Sequence, residues 1–103
     1  MAVTLVHVFE VPEGRESQFL EGFMALTAAL ESVPGYGGCR LMQRTSHHVG
    51  KFAFVNIASW ESKEAWQKAI HAHEFLAQQT PMDDFPRFPG LYDVVFSEGD
   101  VSL

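Results

Sequence analysis

KFAFVNIASWESKEAWQKAIHAHEFLA, Lys51–Ala77, decides the fold, because the hydrophobic period changes within it. From Lys51 to Trp60 the residues alternate. Phe52, Phe54, Asn56, Ala58 and Trp60 share one face, and Ala53, Val55, Ile57 and Ser59 the other. That is a strand of strong β character. Ser62 is a natural N-cap, and Glu64 stands in the first turn, where the helix dipole favours an anion. Ala65, Trp66, Ala69, Ile70, His73, Leu76 and Ala77 then recur at helical spacing. A strand therefore feeds directly into a helix.

Upstream, Val3 to Val11 reads as a strand that is apolar on both faces and so is covered on both sides. Pro12-Glu13-Gly14 breaks it. Phe19, Leu20, Phe23, Leu26 and Leu30 then form one helical stripe from about Arg15. Pro34 disfavours helical geometry at Val33, which ends that helix, and the following glycines permit a reversal. Gly38 to Ser46 is a second strand, joined to the third by a hairpin at His47-His48-Val49-Gly50.

Downstream, Thr80 to Gly90 carries three prolines and is expected to be irregular, anchored by Phe85 and Phe88 and placed to gate a cavity. Leu91 to Ser97 is the expected last strand, with 98–103 a short tail. The order is β-α-β-β-α-β, a ferredoxin-like α+β fold. Right-handed crossovers put both helices on one face of a four-stranded antiparallel sheet. The other face, also apolar, is most simply covered by a second copy, giving a homodimer in the form of a dimeric α+β barrel.

At 103 residues the chain is expected to be a single domain, 1–103, large enough for a core without staples. Thirteen acidic residues against seven basic ones, with no basic run, argue against nucleic-acid or anionic-lipid partners. The lone Cys39 cannot pair within the chain and fits a reducing, cytoplasmic setting. The first eleven residues have no basic n-region and run into a strand pattern, so neither a signal peptide nor a membrane span is expected.

Phe54 to Trp66, FVNIASWESKEAW, resembles the signature of antibiotic biosynthesis monooxygenases, in which a strand ends in tryptophan and Glu-Ser opens a helix with an early aromatic. Val11-Pro12-Glu13-Gly14, Val33-Pro34-Gly35-Tyr36 and Pro89-Gly90-Leu91-Tyr92-Asp93-Val94-Val95 extend the similarity along the chain. The resemblance implies oxidation of an aromatic or polyketide-like anthrone or quinol by O2, without metal or flavin. It sets Asn56 and Trp60 in the site, with Trp66 where such enzymes carry a tyrosine.

The residues themselves are compatible with this. Asn56 and Trp60 are four apart on one strand face and can share a pocket with Trp66. An asparagine amide can hold a phenol or enolate oxygen, whereas tryptophan nitrogens only donate. Proton transfer then falls to His7 or His73, which titrate near neutrality unless perturbed. Phe23, Phe54, Phe85 and Phe88 are the expected apolar contacts to substrate. Each has a plainer reading: the tryptophans as core aromatics, the histidines as groups satisfied within the fold, and Asn56 as an amide bonded to backbone.

No metal site is expected. His71 and His73 do not share a helix face, and His47-His48 sits in a turn. A heme-degrading monooxygenase is the second reading, since that group shares the fold and the Trp-Glu-Ser turn. Its heme histidine near the end of the second helix is replaced here by Phe75-Leu76-Ala77-Gln78-Gln79-Thr80. A non-catalytic dimeric protein that binds an aromatic ligand is the third.

Overall fold

A computed structural model describes residues 2–77 and 85–101, the side chains of 72–77 excepted. Its elements are β1 (Val3–Phe9), α1 (Glu16–Leu30), β2 (Tyr36–Gln43), β3 (Phe54–Trp60), α2 (Lys63–Ala77) and β4 (Arg87–Tyr92). The strands form one antiparallel sheet in the order β2-β3-β1-β4. The fold is the expected ferredoxin-like α+β arrangement.

Local chemistry sets the boundaries. Ser62 Oγ accepts a hydrogen bond from the Ala65 N–H at 3.0 Å, so the N-cap read from sequence starts α2. The α1 helix stops at Leu30, earlier than Val33, and the chain turns through bonds from Val33 N to Leu30 O and from Tyr36 N to Val33 O. Gly35 completes that turn at φ +88° and lies so close to α2 that a Cβ there would stand 2.6 Å from Ala65 Cβ. β3 begins at Phe54 and not at Lys51. The Arg44 guanidinium takes the carbonyls of Gly50 and Lys51, and the Arg44 N–H takes that of Ala53.

The last strand is a correction. It was expected over Leu91–Ser97, with Thr80–Gly90 irregular, but Arg87 to Gly90 belong to β4 and pair with β1. β4 is an edge strand, where a proline such as Pro89 costs no ladder bond if its ring faces outward. Residues 93–101 follow without strand pairing, leaving Val94, Val95 and Phe96 exposed.

Both helices cover the face that carries Leu5, His7 and Phe9 of β1 with Phe54, Asn56, Ala58 and Trp60 of β3. Two apolar clusters lie beneath them. One joins Phe9, Phe19, Phe23, Phe54 and Phe85, the other Leu5, Ala58, Trp60 and Ala69 with Trp66 and Tyr36 at its margin. The opposite face presents Val6, Val8, Val55 and Ile57, with Met42 and Phe88 exposed beside them. Among the described residues, no helix is long and apolar enough to cross a membrane.

Candidate functional site

Between the two clusters, under α1 and α2, the inner sheet face opens into a mostly apolar cavity of about 390 Å³. Strand register determines which polar groups enter it. His7 on β1 is directly opposite Asn56 on β3, at the centre of the sheet. Trp60, four residues along, closes one end of the floor, and Trp66 enters from α2.

Three polar atoms on this wall lack hydrogen-bond partners although they are buried: His7 Nε2, Asn56 Oδ1 and Trp60 Nε1. A buried polar group left unpaired costs about 1–3 kcal/mol, so a fold rarely keeps three together without a use. Asn56 is only 6% exposed and is the one fully buried polar residue described. The residues that carry these atoms, His7, Asn56 and Trp60, all line one space, which suits a ligand carrying oxygen on an aromatic body.

His7 stacks on Phe9, with ring centroids 4.3 Å apart. Burial, and secondarily the positive charge of Arg87, push its imidazole down to about 4. At neutral pH the ring is therefore uncharged, and its Nε2 can accept or donate according to the tautomer.

Arg87 also lines the cavity, brought there by β4. Reading Thr80–Gly90 as irregular concealed it. The signal that could have found it is the alternation Arg87-Phe88-Pro89-Gly90-Leu91, which continues the strand period toward the N-terminus. Tyr36 and Cys39 line the cavity too, although three residues apart they would face opposite ways in a regular strand. A bulge at Gly37-Gly38, with Gly38 at φ +99°, turns both inward.

Of the expected apolar contacts, Phe23 lines the cavity. The other three do not. Phe54 shares the strand face of Asn56 but lies at its far end, fully buried beneath Phe19 at 4.6 Å. Phe85 is locked into the same cluster, with the Arg15 guanidinium 4.7 Å from its ring. Phe88 alternates onto the opposite sheet face, 53% exposed against Phe52. The side chain of His73 and the part of the expected gate from Thr80 to Asp84 lie outside the described residues. His71 is exposed. Among the described residues, no three metal-ligating side chains gather.

Fold and site together define a ferredoxin-like domain with an aromatic-lined cavity between sheet and helices. Residues 2–80 match the family described as antibiotic biosynthesis monooxygenase, and the chain belongs to that family. No curated protein matches the sequence. Among solved structures the chain is similar to a putative monooxygenase from Shewanella loihica PV-4, with a TM-score of 0.81 and 23% identity over 93% of this chain and 96% of that one. It is similar also to SnoaB, a cofactor-independent oxygenase from Streptomyces nogalater, with a TM-score of 0.79 and 24% identity over 96% and 98%. A third is MhuD, a heme-degrader from Mycobacterium tuberculosis, with a TM-score of 0.64 and 25% identity over 94% and 99%.

Proposed function

We propose that this protein is a cofactor-independent monooxygenase that oxidises an aromatic, polyketide-like anthrone or quinol with O2. The observation that carries the reading is the set of three unpartnered polar atoms on residues that line one apolar cavity, with Arg87 also in its lining. Asn56 Nδ2 donates to the oxygen of the enol form of an anthrone, and His7 Nε2 takes that oxygen's proton as the enolate forms. Arg87 favours that anion, because a fixed positive charge in a dry site costs no reorganisation as the negative charge develops. The enolate carbanion then gives electrons directly to O2. The ring CH2 becomes C=O, one oxygen atom is incorporated, and the other leaves as water. Trp60 and Trp66 hold the substrate and move no proton.

The test is oxygen uptake by metal-free protein with an anthrone, measured above the spontaneous rate. Uptake no faster than that background sinks the oxygenase reading. Substrate binding without uptake would favour a non-catalytic binding protein.

The pH profile follows from His7. A base held near 4 stays unprotonated through pH 5, so the rate should fall only with a midpoint near pH 4. An ordinary histidine would place that midpoint at about 6.5. An acid limb at the ordinary value would remove His7 as the base. Stability moves in the same window. The unfolded chain binds this proton below about 6.5 and the folded chain only below about 4, so stability rises with pH between the two.

A second copy covers the outer face of Val6, Val8, Val55 and Ile57, where a contiguous apolar patch would otherwise meet water. Sedimentation equilibrium should give twice the 11.5 kDa chain mass, and Val8→Arg should give the single chain. A monomeric wild type at micromolar concentration would refute the dimer.

A heme-using reading has one described residue in its favour, His7, whose unpartnered Nε2 would hold the iron. Heme would supply an iron at which oxygen is activated. A Soret shift with added hemin that is lost in His7→Ala would move the assignment there.

A further inference from the structure

The polar groups that the sheet presents to the cavity fall into two sets, separated by an apolar strip. Reading the inner sheet face along the strands, the His7–Asn56 pair is followed by Leu5–Ala58 and then by Val3–Trp60. Asn56 and Trp60 are four residues apart, so their backbones stand about 13 Å from each other. His7 stacks toward Phe9 at one end, and Trp60 packs against Tyr36, its register partner, at the other, with ring centroids 5.2 Å apart.

The far end offers two donors, the Trp60 indole and the Tyr36 hydroxyl, of which the second can also accept. Trp60 is 3% exposed, and its Nε1–H has no partner. Tyr36 enters beside it because the Gly37-Gly38 bulge turns it inward. Burial, and then the neighbouring Cys39, raise the Tyr36 pKa, so the phenol keeps its proton. The strip between the ends, Leu5 and Ala58, offers nothing polar.

We propose that Trp60 and Tyr36 form a second, distal oxygen-binding subsite. It selects elongated fused-ring substrates that carry, besides the reacting oxygen held at His7 and Asn56, a second oxygen on an outer ring that reaches this pair. The inference rests on the proposed aromatic substrate, and it adds where that substrate's second oxygen lies. Tyr36 is here a positioning residue.

Calorimetric titration with two redox-stable probes tests this without turnover: anthraquinone, with oxygen on the central ring alone, and 2-hydroxyanthraquinone, with a further oxygen on an outer ring. Wild type should bind the hydroxy probe about tenfold more tightly. Tyr36→Phe keeps the ring against Trp60 and removes only the hydroxyl. It should bring the ratio close to one while leaving the affinity for anthraquinone unchanged. Equal affinities in wild type overturn the subsite and leave the aromatic-substrate reading standing. So does a Tyr36→Phe variant that weakens both probes alike, because that is the mark of a structural tyrosine. Binding of neither probe to wild type overturns the aromatic-substrate reading, and the subsite with it.

Discussion

Asn56→Ala is expected to lower enzyme-dependent oxygen uptake with an anthrone by about 10²–10³-fold, the usual consequence of deleting one preorganised hydrogen-bonding group at a developing anion. The same substitution leaves stability unchanged or slightly raised. Both follow from one observation. Asn56 Oδ1 is buried and pairs with nothing, so the folded protein carries its desolvation cost without a compensating bond. Alanine removes the cost together with the group. An asparagine kept for structure behaves in the opposite way: its loss breaks a bond, and the unfolding midpoint falls.

Measuring uptake and urea unfolding on the same two proteins therefore separates the readings. Lost uptake with an undiminished midpoint places Asn56 in the reaction. A lowered midpoint with residual uptake in proportion to folded protein refutes that placement. Asn56→Asp is a useful companion. It keeps the shape of the side chain but sets a carboxylate beside the substrate oxygen, so it should repel the enolate that the amide favours and restore no activity.

Much of this site could be read from the sequence, for a specific reason. A strand period of two puts Asn56 and Trp60 on one face whatever the neighbouring strands do, and the helical period of Lys63–Ala77 carries Trp66 back over that face. What could not be read depends on partners distant in the chain. Arg87 reaches the cavity only because β4 pairs with β1, and three prolines between Thr80 and Gly90 argue against a strand there. Pro89 is tolerated since β4 is an edge, and edge position is a property of the assembled sheet. Tyr36 enters through a bulge, which inverts the facing that alternation predicts. Phe54 shows the converse limit. Alternation gives its face correctly, but position along the strand decides between cavity and core, and that depends on where α1 crosses.

Phe19→Ala is the substitution with the largest expected effect on stability, about 3–5 kcal/mol. Phe19 has no solvent exposure and stands at the hub of the aromatic cluster, its ring 4.6 Å from Phe54, 4.8 Å from Phe9, 5.7 Å from Phe85 and 6.0 Å from Phe23. These neighbours come from β3, β1, the segment leading into β4 and the next turn of α1, so one side chain ties the helix to three parts of the sheet. Rings held in such pairs by one another's edges cannot collapse inward without losing their own contacts, and a cavity should persist. Domains of this size are stable by only about 5–15 kcal/mol, so the variant approaches the limit of folding at physiological temperature. Phe19→Leu fills most of the space and should cost much less. A shift in urea midpoint for Phe19→Ala no larger than that for Phe19→Leu would mean that the cluster repacks, and that the aromatic hub is not what holds α1 over the cavity. The link to function is then direct: Phe23, one turn along α1, is a cavity wall. Loosening the helix at Phe19 should therefore weaken substrate binding in whatever fraction remains folded, with Asn56 and His7 untouched.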